Sequence, residues 1–369
     1  MMVKKKGVES MNSKQRIKAA MDPTGNPPDR IPFDGLLPWR SDQFTMLQVT
    51  PSSWQPREGY YPYVPQQFLQ LKIYKWHPTW DVPKDWKQQK RTAMDEWGCY
   101  WNYAKDDPTK GHPGKPAFET WDDLDDWEPP DGSNPKRYRT FGRFSKLFFR
   151  KFKIGMLDSF LFSRCQYIRG FSTILIDFRR NPDKVHALIE KMVPFYLDAI
   201  KAWSKYNADA VFCMDDMGAQ DRPFVSPKIY REFFKEPFKR IVNHAHDHEM
   251  SFILHSCGNN LDLMPIWIDE IGVDAFQFDS PRMNGLDNLA KFKGKTCFWN
   301  VVDIQTIYPF ATPAQIEDEV KVMIDKLATP NGGLVLRDYF GAHSVLNAPK
   351  ENVKMFQKAA KKYGKYPLN

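Results

Sequence analysis

His255-Ser256-Cys257 is the sharpest local pairing of metal-capable side chains in this chain. With 8 His and 5 Cys among 369 residues, a His-x-Cys triplet is expected by chance only roughly 0.1 times. Residues one apart on an extended backbone point to the same side. An imidazole and a thiolate so placed can share one Zn2+ with a third ligand from another element, leaving the fourth position open for chemistry. A bound zinc ion would lower the thiol pKa or polarise an ether or hydroxyl oxygen as a Lewis acid, and either role serves methyl transfer. The plainer alternative is a hydrogen-bonded pocket histidine beside a small packed thiol.

Carboxylates recur in comparable settings. Asp215-Asp216, Asp279, Asp303 and Asp338 each stand at the end of a short apolar run. Any one of them alone reads more readily as a loop cap than as a catalytic group. As a set at the ends of successive strands they converge on one mouth, where barrel enzymes keep their catalytic groups.

The elements that would position these residues are most regular beyond residue 180. Asn181-Pro182 predicts a helix start, and Val185, Leu188, Ile189, Met192, Tyr196, Ile200 and Trp203 follow at helical spacing. Pro194 predicts a kink. Strands are predicted at 210–214, 251–254, 273–278, 296–302 and 333–336, separated by helices from Ser226-Pro227, over 284–293, behind the capping box Thr312-Pro313-Ala314-Gln315, and over 349–362. Buried apolar strands alternating with amphipathic helices mean a parallel sheet. Five such units, an opening strand at 31–37 behind a helix at 12–21, and room for two more strands predict an α/β fold, a (β/α)8 TIM-like barrel in one domain over 1–369. The competing open doubly wound sheet lacks its Gly-rich phosphate turn here. Residues 40–145, rich in Pro, Trp and Asp, read as an irregular aromatic-rich insertion, with strand chemistry only at 97–103.

Composition narrows the function. Hydrophobic residues make up 42% of the chain, mean hydropathy is −0.59, and no apolar run is long enough to cross a bilayer. Lys4-Lys5-Lys6 near the start precedes no apolar segment, so a cytoplasmic protein is expected rather than a secreted one. Five scattered cysteines argue for reduced thiols. The net charge of +8 is dispersed and accompanies no nucleic-acid motif, so an anionic substrate or an acidic protein partner explains it as well.

On these residues the chain resembles the uroporphyrinogen-decarboxylase-like superfamily, which holds both the decarboxylase of haem synthesis and the zinc- and corrinoid-linked methyltransferases. The resemblance is carried by Asp29-Arg30-Ile31-Pro32-Phe33, Asp95 to Cys99, Thr120 to Leu124, Asp215 to Gln220 with Ser226-Pro227, His255 to Asn259, Asn300 to Asp303, and Pro349 to Val353. It implies a distorted (β/α)8 barrel. The decarboxylases' Met-Arg-Gln-Ala-Gly-Arg segment is replaced by Leu37-Pro38-Trp39-Arg40-Ser41-Asp42, which turns the resemblance toward the methyltransferases. Their later cysteine is also missing. His343 stands near its expected position, with Cys297 as a weaker candidate for third ligand.

The resemblance therefore implies a methyltransferase that moves a methyl group from a methoxylated or methylamine-type small molecule to a corrinoid on a separate protein, with demethylation of an ether oxygen as one form. His255, Cys257 and His343 would hold zinc. Asp215, Asp216 and Asp338 would be catalytic. Trp39, Arg40, Gln220, Trp299, Asn300 and Tyr339 would bind substrate. A homodimer is allowed for, and neither nucleic acid nor membrane is an expected partner. The alternative of the same fold is a metal-free decarboxylase or lyase, with Arg40 and a strand-end Asp binding and protonating a carbanion-like centre. An inert barrel kept as a sensor or partner protein is the third reading.

Overall fold

Short apolar runs bounded by polar residues form strands buried on both faces, and here they close around one axis. The computed structural model describes residues 10–35, 40–48, 92–102, 112–339, 342–343 and 345–368, with short stretches at 55–56, 63–65 and 80–81. Eight parallel strands form the barrel: β1 (Phe33–Asp34), β2 (Gln43–Gln48), β3 (Phe152–Ser159), β4 (Ala210–Met214), β5 (Ser251–His255), β6 (Ala275–Gln277), β7 (Cys297–Asn300) and β8 (Leu334–Arg337). The sheet runs β1-β8-β7-β6-β5-β4-β3-β2, with the antiparallel strand Tyr63–Pro65 added beside β2. Among the described residues no strand ladder joins β1 to β2; Asp42 N–H donates to Phe33 O at 2.8 Å across that gap.

Register assigns every side chain to a face. Ile154, Ala210, Phe212, Ile253, Ala275, Cys297, Trp299 and Val335 share the inner face and pack together. Val211, Phe252, Leu254, Phe276, Phe298 and Leu336 alternate with them and pack outward on the helices. Between Phe212 and Cys213 the β3–β4 register slips. Such a bulge beside a strand end re-aims the side chains beyond it.

The helices at Ser13, Pro182, Pro227, Pro313 and Lys350 begin where the sequence predicts them, and those at Pro135, Leu161 and Phe171 are not predicted. α1 (Ser13–Met21) is capped by Asn12 in a capping box with Gln15. It puts Ile17 and Ala20 against the inner face, closing the N-terminal end of the barrel. The helices α2 (Pro135–Phe144), α3 (Leu161–Arg169), α4 (Phe171–Arg180), α5 (Pro182–Lys205), α6 (Glu236–Asp247), α7 (Pro313–Leu327) and α8 (Lys350–Tyr363) account for most of the outer layer. Thr312 and Gln315 form the expected capping box of α7. Two expectations need correction. Asn181 makes no cap bond; its amide instead donates to Asp177 at 2.6 Å. The helix predicted over 284–293 is broken into short turns at 281–284, 286–289 and 290–292, because Gly285 takes φ +77.

The aromatic-rich stretch is partly barrel: β2 lies inside it. Its strand chemistry at 97–103 becomes a three-stranded antiparallel sheet of 92–94, 100–102 and 112–113. Buried Asp95 organises the turn, accepting from Trp97 N and Cys99 N, from the Trp101 indole, and from Arg164 of α3. Arg164 lies over the Trp97 ring at 4.4 Å. Trp97 also packs on Trp127, Phe195 and Tyr196, so this part of the aromatic surplus is packing. Trp39 lies outside the described residues.

Among the described residues, no helix is long and apolar enough to cross a membrane. All five cysteines are free.

Arg16 fastens the plug. It donates to Asp29 at 2.6 and 2.8 Å and to buried Asp42 at 2.7 Å. Asp42 also spans the β1–β2 gap and is held by Arg30 as well, at 2.8 and 3.0 Å, so Arg16→Met removes one of its two guanidinium partners. The expected cost is about 1.5–3 kcal/mol in urea unfolding; a loss below about 1 kcal/mol would show that the plug is not fastened there.

Candidate active site

The mouth is built from strand ends, and the inner-face parity selects which residues look into it. Continuing each inner row by two residues gives Met214 on β4, His255 on β5, Gln277 on β6 and Arg337 on β8, with Asp34 opposite Arg337 in register.

The loops after β4 and β5 are laced together. Asp215 N donates to His255 O (2.9 Å), Met217 N to Ser256 Oγ (3.1 Å), Gly218 N to Cys257 O (3.1 Å) and Asn259 N to Ala219 O (2.8 Å). Asn260, fully buried, donates to the carbonyls of Cys257 (3.0 Å) and Gly258 (3.1 Å). Gly258 has φ +85, and a Cβ there would fall 2.0 Å from Gly218 O. Only glycine permits both that backbone and that approach.

This lacing brings three donor atoms together. Cys257 Sγ is 3.3 Å from His255 Nε2, and Asp216 Oδ1 is 3.4 Å from the same nitrogen. Asp216 also accepts from Cys257 N–H at 2.9 Å. All three ligand atoms lie within 4.8 Å of one another. Tetrahedral zinc with N, O and S ligands at about 2.0–2.3 Å needs ligand atoms roughly 3.3–3.8 Å apart, and both distances from His255 Nε2 meet that spacing. His255 is 7% exposed, Asp216 half-exposed and Cys257 exposed, so the open side faces the mouth.

The imidazole is oriented from behind. Gln277 Nε2 donates to Asp279 at 2.7 Å, which turns the amide oxygen toward His255 Nδ1. Nδ1 therefore carries the proton, and Nε2 faces Cys257 and Asp216. The charges are coupled. Burial works against the imidazolium, but Cys257 and Asp216 outweigh it and hold the His255 pKa well above its ordinary value. Burial would raise the Asp216 carboxyl, yet His255 and the Cys257 N–H hold it below the usual range. Burial pushes the Cys257 thiol up.

The other expected site residues divide. Tyr339 belongs to the mouth: burial pushes its hydroxyl up to about 12, Asp279 and Cys257 reinforce the rise, and Arg337 opposes it. Trp299 points inward and is 2% exposed; it sits among the inner core, donating to Asp34 at 2.9 Å. Asn300 is fully buried and accepts from Phe278 N–H at 3.1 Å, ordering the β6 loop. Asp215 accepts from Phe162 N (3.3 Å) and Ser163 N (2.7 Å), holding the first turn of α3; burial pushes its carboxyl up to about 7. Asp338 faces away from the mouth and accepts from Gln357 of α8 at 2.9 Å. Asp303 accepts from Gln305 N, Thr306 N and Thr306 Oγ1 as a loop cap. Gln220 is exposed in the turn closed by Ala219 N and Arg222 O. Arg40 is exposed in a groove beneath α8, with Arg30, Lys361 and Lys365. His343 is exposed and bonded through Nδ1 to Ala348 O at 2.7 Å. Among the described residues neither it nor fully buried Cys297 joins the donor group, where the structure has Asp216 instead. Gln277 and Arg337 belong to no motif in the sequence; counting by twos from the apolar inner residues of each strand finds both.

A parallel eight-stranded barrel with a laced Asp–His–Cys donor set at its C-terminal mouth defines a barrel enzyme with a metal-capable centre. The family described as uroporphyrinogen decarboxylase (URO-D) matches residues 95–363, and the chain belongs to that family. A Methanosarcina mazei protein described as a methylated-thiol–coenzyme M methyltransferase is 25% identical over 167 residues, 44% of this chain. That match spans about two-fifths of the relative's length (42%). A solved structure described as a methyltransferase from Methanosarcina mazei superposes with TM-score 0.66 at 14% identity, covering 96% of this chain and 99% of that one, and it establishes the shared fold.

Gln277 donates nothing to an ion, yet it sets which nitrogen of His255 is available. Gln277→Leu is expected to weaken zinc binding about 10–100-fold in chelator competition while leaving the thermal melting profile in place; unchanged affinity would remove Gln277 from the site.

Proposed function

We propose that this chain is a methyltransferase that takes a methyl group from a small methylated molecule and delivers it to the cobalt of a corrinoid carried by a separate protein, with zinc held by Asp216, His255 and Cys257. The observation that supports this reading is the convergence of three donors of different chemistry at 3.3 and 3.4 Å on the mouth side of His255. When bound there, the ion supplies Lewis acidity toward the heteroatom that carries the methyl group. Family membership and the methyltransferase name of the Methanosarcina mazei relative point the same way.

The chain's own residues have definite tasks in this reading. Asp216, His255 and Cys257 form the grip. Gln277 and Asp279 keep His255 Nε2 turned to it. Tyr339, with its hydroxyl pKa raised, stays a neutral donor at working pH beside the donor group. Asp215 acts through position: by bonding the first turn of α3 it fixes the backbone from which Asp216 projects. The decarboxylase alternative relies on Arg40 as the anion-binding residue, and Arg40 lies in the groove beneath α8 with Leu336, an outward residue of β8.

Elemental analysis tests the grip. Purified protein is expected to hold one zinc per chain, and His255→Ala and Cys257→Ala are each expected to lose most of it. Methyl transfer to free cob(I)alamin, followed by its absorbance, should fall at least about 100-fold in both variants. Full transfer by a zinc-free variant would overturn the reading.

Proton linkage gives the reading a pH dependence. His255 and Cys257 both hold protons in the metal-free protein, because both pKa values are raised; Asp216 is already ionised. Binding must release those protons, so zinc affinity should rise as pH rises through neutrality. A pH-independent affinity in buffered titrations would contradict the assigned ligands.

A further inference from the structure

The net charge of +8 is less dispersed than it reads. Residues 136–153 hold eight lysines and arginines and no aspartate or glutamate, which equals the charge of the whole chain. Three of these cations are committed to the fold. Arg137 is held by Glu96 at 2.6 Å, Lys151 donates to Ser41 O, and Lys153 is buried. Arg139, Arg143, Lys146 and Arg150 are exposed. Among the described residues none of these four lies in an ion pair with a carboxylate, although salt bridges are common elsewhere on the surface.

Two apolar side chains stand in water beside them. Leu147 is 72% exposed and Phe149 67%. A scattered exposed apolar residue is ordinary, but this pair sits on a turn that is held in place. Phe148 between them stacks on Phe44 at 4.4 Å. Leu147 N–H donates to Phe144 O (3.0 Å), Lys151 N–H to Phe148 O (2.9 Å), and Lys14 N–H of α1 to Arg150 O (2.8 Å). The Arg150 guanidinium lies 5.8 Å over the Phe149 ring. Just before the turn, α2 packs Tyr138 and Phe141 on Trp203. Arg139 and Arg143, four apart, occupy its opposite side. The turn leads into β3, so it lies at the N-terminal end of the barrel beside the plug helix, away from the mouth.

We propose that this turn is a docking wedge for an anionic lipid surface: Leu147 and Phe149 enter the headgroup–acyl boundary, while Arg139, Arg143, Lys146 and Arg150 meet lipid phosphates. Apolar tips within a collar of cations are the make-up of an interfacial anchor, and a cluster of four basic residues adds attraction to an anionic leaflet. A second copy of this chain is a poor occupant, because two collars would face each other with like charge. A nucleic acid would be held by stacking faces, and Leu147 has none. A convex, fixed turn suits a deformable headgroup layer, whereas a protein partner would need a cavity shaped for both tips. Such an anchor lies on the bilayer and spans nothing, in keeping with the lack of a membrane-spanning helix among the described residues. Docked by this end, the molecule keeps its mouth toward solution. The proposal does not depend on the methyl-transfer reading.

Vesicle flotation of the full chain tests it. The protein is mixed, at about 0.1 M salt, with vesicles of phosphatidylcholine alone or with about 30 mol % phosphatidylglycerol. The wild type should bind the anionic vesicles about tenfold or more tighter than the neutral ones. Leu147→Ser with Phe149→Ser should weaken that binding about tenfold. Arg139→Gln, Arg143→Gln and Lys146→Gln together should weaken it at least about tenfold and flatten its salt dependence. All five positions are exposed, so melting temperatures should match the wild type; Phe149→Ser alone serves if the paired variant does not fold. A wild type that shows no preference for the anionic vesicles overturns the proposal. So does a serine variant that binds them as tightly as the wild type, since charge without a wedge would then suffice. Tighter binding to oligothymidylate than to the anionic vesicles at the same salt would assign the collar to nucleic acid and overturn it equally.

Discussion

The backbone contact between Gly218 and Gly258 is the constraint on which the site depends. Asp216 comes from one strand end and the His–Cys pair from the next, and neither loop has reason to approach the other unless their main chains can touch. The gap left by two missing side chains lets them do so, with Gly258 at φ +85. Four inter-loop hydrogen bonds then fix the pair. Positioning of this kind on backbone, rather than on flexible side chains, is what holds a catalytic constellation in place. It also explains the run after Cys257: Gly258 allows the contact, Asn259 ties the loop to Met283 O (3.1 Å), and Asn260 holds the turn.

The sequence makes the second half of the barrel legible because each strand there is a continuous apolar run and most of its long helices open on a Pro at their first turn. β2 and β3 are hidden for a physical reason. Gln43 and Thr45 of β2 are polar and buried, and they are intelligible only through Asp34, to which Gln43 donates. Gly155 interrupts β3 because the Trp203 ring lies where its Cβ would be, 2.4 Å away. Lys153 in the same strand is 7% exposed, beside Asp209, whose carboxylate accepts its N–H. Residues that break the pattern for the sake of distant partners cannot be read without those partners.

The site is legible in its types more than its roles. His255 and Cys257 stand out by spacing alone. The carboxylates cannot be sorted that way, since every one ends a strand. Structure sorts them by what is near: Asp215 meets the first turn of α3, Asp303 its own loop, Asp338 the outer helix, and Asp216 the imidazole. The third donor, expected far along the chain at His343, lies one residue from Asp215. A strand that ends in two carboxylates can send one outward to hold the scaffold and the other inward, and that difference of face separates their functions.

Charge completes the logic. A carboxylate, a thiolate and a neutral imidazole together carry two negative charges, equal and opposite to one Zn2+. A centre so balanced has no net pull on an anion, and Asp279 beside it disfavours one. Beneath that centre Asp34, the register partner of Arg337, is occupied by Gln43 and Trp299 and is pushed by burial toward its neutral form. Trp299, expected to line the substrate pocket, instead acts one layer down, where its indole holds Asp34.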